Sequence, residues 1–100
     1  MLKKLRTVVY HTTDLAAAKE WYIQATGIQP YFDEPFYVGF DINGCELALD
    51  PDMTGVVPGN QSTVYWAVDS VEDAVAKMTS LGATIIQPPT NVGGPIIAAS

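Results

Sequence analysis

The stretch Leu5-Arg6-Thr7-Val8-Val9-Tyr10-His11-Thr12, closed by Thr13-Asp14, decides the fold. Its β-branched and aromatic residues read as a strand. Thr13-Asp14 then supplies a helix N-cap signal. Leu15, Ala18, Tyr22 and Ala25 recur at three- and four-residue steps, which gives Leu15 to Ala25 one apolar face. Gly27 ends that run as a C-cap glycine does. The same order returns 56 residues later. Thr7-Val8-x-Tyr10 falls on Thr63-Val64-x-Trp66, Asp14-Leu15 on Ser70-Val71, Ala18 on Ala74 and Tyr22 on Met78. After one deletion Gly27 falls on Gly82. That period is too long for a solenoid unit and fits a duplicated α+β module.

Three extended pieces are expected between the two copies: Ile28 to Phe32, Phe36 to Ile42 and Cys45 to Leu49. Asn43-Gly44 between two alternating runs is a strong short-range signal for a tight hairpin. Gly55, Pro58, Gly59 and Asn60 mark a linker over 53–61, with one module at about 1–52 and the other at about 62–100. In the second module, Ser62 to Val68 reads as a strand. Asp69-Ser70 caps a helix from Val71 to Leu81, with Glu72 and Asp73 near its positive end. Ala83 to Gln87 reads as a strand, Pro88 to Gly94 as a loop and Pro95 to Ala99 as a last strand. The expected fold is one α+β domain of two βαβββ-type modules, the second incomplete.

A length of 100 residues allows a single domain, and 48% hydrophobic residues exclude wholesale disorder. The net charge is −6, and Lys3, Lys4 and Arg6 hold three of the five cations. Such a chain is a poor match for nucleic acid, where phosphate neutralisation supplies most of the affinity. One cysteine, Cys45, excludes an internal disulfide and a multi-cysteine zinc site, and reads as a structural thiol. No apolar run approaches the ~20 residues of a membrane helix. The basic start is followed by too short an apolar stretch for a signal peptide, so a cytoplasmic location is expected.

The strand, Asp14-Leu15, Trp21-Tyr22 and Gly27 resemble the opening of the vicinal oxygen chelate superfamily, the group of glyoxalase I, bleomycin-resistance proteins and extradiol dioxygenases. Val68-Asp69-Ser70-Val71, Leu81-Gly82-Ala83, Pro88-Pro89 and Val92-Gly93-Gly94 resemble its second module. The resemblance implies strands curled into a cup, helices on the convex side and a binding site in the concave side. Metal-dependent members carry a histidine seven residues before the helix-opening residue of each module. Thr7 and Thr63 stand at those positions. The family's carboxylate ligand on the last strand of the first module maps to Glu46. The chain stops at Ser100, before the turn that introduces the second module's last strand, so a C-terminally shortened module without its carboxylate is expected. Threonine hydroxyls are poor ligands for divalent transition metals. The expectation is a small-molecule-binding protein with no metal or other cofactor. The alternative is a glyoxalase-like, metal-dependent lyase, isomerase or dioxygenase.

Strand alternation sorts the candidate residues. Val8, Tyr10 and Thr12 should lie under the helix, leaving Thr7, Val9 and His11 for the cup. In the second copy, Thr63, Tyr65 and Ala67 face the cup. The expected ligand-binding set is therefore Thr7, His11, Glu46, Thr63 and Tyr65. The family match supports the first four, and Tyr65 rests on alternation alone. His11 reads either as a cup residue contacting ligand or as a strand-end histidine bonded to backbone or water. Glu46 reads either as a carboxylate with a raised pKa in an apolar cup or as a solvated edge residue. Tyr31, Phe32, Phe36, Tyr37, Phe40 and Tyr65 read either as a stacking wall for an aromatic ligand or as plain core or interface. An exposed sheet edge with little charge leads us to expect a homodimer.

Overall fold

The computed structural model describes residues 1–57, 59, 63–85, 90–93 and 96–98. The chain forms two compact units, Met1–Gly59 and Asn60–Ser100. The first unit runs β1 (Thr7–His11), α1 (Leu15–Thr26), β2 (Phe32–Glu34), β3 (Tyr37–Ile42) and β4 (Cys45–Asp50). The second contains α2 (Val71–Ser80), β5 (Thr90–Gly93) and β6 (Ile96–Ala98). The expected α+β class and strand–helix–hairpin order stand.

In the first unit the strands form one mixed sheet in the order β1-β4-β3-β2. β1 and β4 are parallel, with Thr7 opposite Glu46 and His11 opposite Asp50. β3 pairs antiparallel with both β4 and β2. Asn43 (φ 49°) and Gly44 (φ 91°) turn the β3–β4 hairpin. Two successive positive φ angles are what a tight hairpin needs to match strand twist, and asparagine and glycine tolerate them best. Asp14 caps α1 by accepting from the Ala17 amide at 3.0 Å. Gly27 ends the helix at φ 71°, its amide donating to the Ile23 carbonyl at 2.8 Å.

The core lies between α1 and one face of the sheet. Val38, Phe40, Leu47 and Leu49 are buried, and Tyr10, Leu15, Ala18, Tyr22 and Ile23 pack on them. The Tyr22 ring stacks on Tyr10 with centroids 6.1 Å apart and meets Phe40 at 6.4 Å. Burial pushes the Tyr22 hydroxyl pKa up to about 12. Phe40 is fully buried here, so it belongs to the core and not to an aromatic wall on the opposite face.

Four extended segments depart from expectation. The first hairpin strand is Phe32–Glu34, not Ile28 to Phe32. Asp33 and Glu34, which lie between two of the expected extended pieces, are inside the ladder, opposite Val38 and Tyr37. Residues 63–68 are described and carry no strand. Their composition suits one, but among the described residues of the second unit the only ladder joins β5 to β6. A strand exists through its partner's backbone, and β1 has β4 where 63–68 has no such neighbour among the described residues. Thr90–Gly93, expected as part of a loop, is the strand that pairs with Ile96–Ala98. Residues 83–85 carry no strand, and the rest of that expected element, 86 and 87, lies outside the described residues. The second helix forms as expected: Ser70 Oγ accepts from the Asp73 amide at 3.2 Å, and Glu72 and Asp73 occupy the first turn. No described helix is long and apolar enough to cross a membrane.

Phe40 is the test of this core. Phe40→Ala should destabilise the protein by about 3–5 kcal/mol, read from the denaturant midpoint, because it leaves a cavity under Tyr22 that packed neighbours fill only in part.

Candidate functional site

The sheet face turned away from the α1-packed core carries a carboxylate where a hydrophobic residue would be expected. Glu46 is only 8% exposed and is the one buried charged residue among those described. Its place follows from register. β4 lies between β1 and β3, so Glu46 has Thr7 on one side and Asp41 on the other. Alternation along β3 sends Val38 and Phe40 to the core and Tyr37, Gly39 and Asp41 to the Glu46 face.

Three hydroxyls donate to this carboxylate. Thr7 Oγ1 reaches Oε1 at 3.1 Å, and the Tyr37 hydroxyl reaches the same oxygen at 2.5 Å. The Tyr31 hydroxyl donates to Oε2. The Tyr31 amide donates to the Gly39 carbonyl at 3.0 Å, which anchors that residue beside the sheet. The Glu46 amide donates to the Arg6 carbonyl at 2.9 Å and so brings Arg6 to the same place.

Burial pushes the Glu46 carboxyl pKa up. The hydrogen bonds from Tyr31, Tyr37 and Thr7, with the Arg6 charge, outweigh that and hold it below its ordinary value. Neither of the two readings of Glu46 describes it: an apolar cup would raise its pKa and an edge would leave it solvated, but this carboxylate is buried among donors. The tyrosines shift the other way. Burial, the hydrogen bond to Glu46 and the carboxylate's charge push Tyr37 up to about 12. The bond to Glu46 also raises Tyr31, which Arg6 opposes.

Beside Glu46 lies a depression of about 260 Å³ lined by Arg6, Tyr31, Asp41, Gly44 and Glu46. Asp41 Oδ1 accepts from the Gly44 amide at 2.9 Å, and Lys4 Nζ donates to the Gly44 carbonyl at 3.2 Å. The hairpin turn is thereby fixed as one rim.

Of the five residues expected to bind ligand, the structure brings Thr7 and Glu46 together. His11 is exposed at the far end of β1, where its Nδ1 lies 2.9 Å from the Asp52 carbonyl oxygen. Thr63 and Tyr65 belong to the second unit and are exposed, Tyr65 by 74%. Sequence reading treated Tyr31 and Tyr37 as ring surface and missed their hydroxyls, along with Arg6 and Asp41. The available signal was the alternation Tyr37-x-Gly39-x-Asp41 opposite Glu46 across the Asn43-Gly44 turn. Phe32 meets Phe36 and Tyr37 edge-on, with centroids 6.1 and 5.8 Å apart, and both phenylalanines are exposed.

The donor chemistry here does not suit a divalent metal. The two carboxylates here are both engaged: Asp41 Oδ1 accepts from the Gly44 amide, and Thr7 is itself a donor to Glu46. No imidazole or thiolate shares the cluster, and no group of three His, Cys, Asp or Glu side chains among the described residues is placed to hold an ion.

A family model for the glyoxalase/bleomycin resistance protein/dioxygenase superfamily matches residues 4–95. Solved structures share the fold. A glyoxalase/bleomycin resistance protein/dioxygenase family enzyme from Burkholderia phytofirmans is 21% identical, with TM-score 0.77 over 90% of this chain and 82% of its own. A protein from Agrobacterium tumefaciens, solved by NMR in solution, is 19% identical, with TM-score 0.77 over 98% and 88%. A glyoxalase-related enzyme from Fulvimarina pelagi is 19% identical, with TM-score 0.68 over 89% and 72%. No curated protein matches the sequence.

The site's ionisations give a stability profile. Glu46 has a depressed folded pKa, so its contribution is present above the ordinary value of 4.5 and is lost as pH falls through the folded one. Tyr37 has a raised pKa, so its contribution is present below 10.0 and is lost as pH rises toward about 12. Glu46→Gln should flatten the acid limb of the denaturation midpoint against pH. His11→Ala, which removes an exposed side chain, should change stability by less than about 1 kcal/mol in the same measurement.

Proposed function

The chain belongs to the glyoxalase/bleomycin resistance protein/dioxygenase superfamily, and we propose that it is a metal-independent small-molecule-binding member that recognises its ligand at Glu46. The observation that carries this reading is the ionised, hydroxyl-held carboxylate beside an open depression. Oε1 already accepts two hydrogen bonds and Oε2 one. A carboxylate accepts about four, so Oε2 retains room for a donor from a ligand. Arg6 offers donors to a ligand acceptor, and the Tyr31 ring offers a stacking surface. The matching ligand is a small planar molecule with a donor and an acceptor on one edge. The volume suits a fragment-sized compound, since drug-sized sites run from about 300 Å³ upward.

The expected homodimer and cytoplasmic location belong to the same proposal. The first unit's sheet ends in a three-residue outer strand, β2, with Phe32 39% exposed on it. Light scattering that follows one mass ratio across protein concentrations checks the dimer.

A thermal-shift screen with planar heteroaromatic fragments, run beside Zn²⁺, Ni²⁺ and Mn²⁺, tests the function. A true ligand at a hundred times its Kd should add about 2.7 kcal/mol of stability. Glu46→Ala should weaken that ligand at least tenfold, about 1.4 kcal/mol. Elemental analysis of chelator-free protein showing one metal per chain, with ligand binding dependent on it, would return the protein to the metal-dependent reading.

A further inference from the structure

We propose that Gly39 is the positioning residue of the Glu46 site: the side chain it lacks is the space in which the carboxylate lies to meet both tyrosines. Gly39 sits in the middle of β3, opposite Ala48 on β4 and Phe32 on β2. Glycine weakens a strand interior and usually marks a bulge or a close approach. No bulge occurs in the β3–β4 register, and the Gly39 backbone lies outside the left-handed region. Conformation therefore does not require glycine here. Space does. A Cβ built on Gly39 would stand 2.6 Å from Glu46 Oε2, and 3.3 Å from both Glu46 Cδ and Tyr31 Cε1. Real Cβ atoms essentially never approach another atom at 2.6 Å, so one of the two must move.

The atom in the way ends a flexible side chain. Gly39→Ala is therefore expected to fold, with the carboxylate turned off Tyr31 and Tyr37. Gly39 is not among the residues that line the depression and acts through Glu46. The inference gives the proposed binding site its geometric determinant and rests on that reading only for its functional meaning.

The test needs no ligand, so its failure and that of the binding reading are separable. Tyrosine ionisation is followed by ultraviolet absorbance and the Glu46 carboxyl by NMR. Both are measured in the native chain, Gly39→Ala, Glu46→Ala and the double variant. In Gly39→Ala the Glu46 midpoint should rise toward 4.5 and the Tyr37 midpoint fall from about 12 toward 10.0. In Glu46→Ala the Tyr37 midpoint should fall as well, and adding Gly39→Ala should change it no further. Native midpoints in Gly39→Ala would overturn the proposal. So would an equal tyrosine shift from Gly39→Ala without Glu46, because the glycine would then act on the rings directly. If Gly39→Ala alone does not fold, recovery of folding in the double variant supports the proposal, and its absence overturns it.

Discussion

A carboxylate held ionised on the middle strand of a sheet is the constraint around which the first unit is arranged. Taking such a charge out of water costs several kcal/mol even after relaxation. Hydrogen bonds to a charged group return roughly 1.5–3 kcal/mol each. Thr7, Tyr31 and Tyr37 supply three of them, so the terms are of the same size and the balance depends on all three donors being in place. An apolar residue at 46 would need none of this. Buried charge is weak evidence for stability and better evidence for a task.

Position follows from the parallel pairing. Thr7 lies opposite Glu46 only because β4 runs in the same direction as β1. A tight turn cannot join parallel strands, so the chain must return by a crossover. The 12 residues of α1 span about 18 Å at 1.5 Å each, close to the ~17 Å of a five-residue strand. The Asp14 cap and the Gly27 stop therefore do more than end a helix. They set a crossover length that returns the chain beside its start, and the Asn43-Gly44 turn then feeds β4 into the slot next to β1.

Those three punctuation points were all legible, because each depends on chemistry within a few residues: a carboxylate meeting an amide, or a glycine or asparagine at positive φ. What failed to read was set from a distance. Phe32–Glu34 is a strand because β3 lies alongside, despite the acidic pair that suggests a boundary. Residues 63–68 have strand composition and no ladder. Glu46 was picked out, but its pKa direction depends on tyrosines 15 and 9 positions away, which only the folded register brings to it. A phenol has an apolar ring and a polar tip, and the sequence alone does not say which will matter.

The tyrosines also support the proposal that the site takes its ligand without a metal. Thr7, Tyr31 and Tyr37 each direct a proton at Glu46, which leaves an open acceptor position on Oε2 alone. A divalent transition metal takes about four to six ligands, and no group of three His, Cys, Asp or Glu side chains among the described residues stands there to complete them. The donors also make the carboxylate a fixed feature rather than a swinging side chain, since any rotation breaks at least one bond to a group that is itself anchored. One carboxylate position can serve as a metal ligand or as a preorganised acceptor for a ligand's donor, depending on what surrounds it. Around Glu46 the neighbouring hydroxyls and the missing side chain at Gly39 suit the second role.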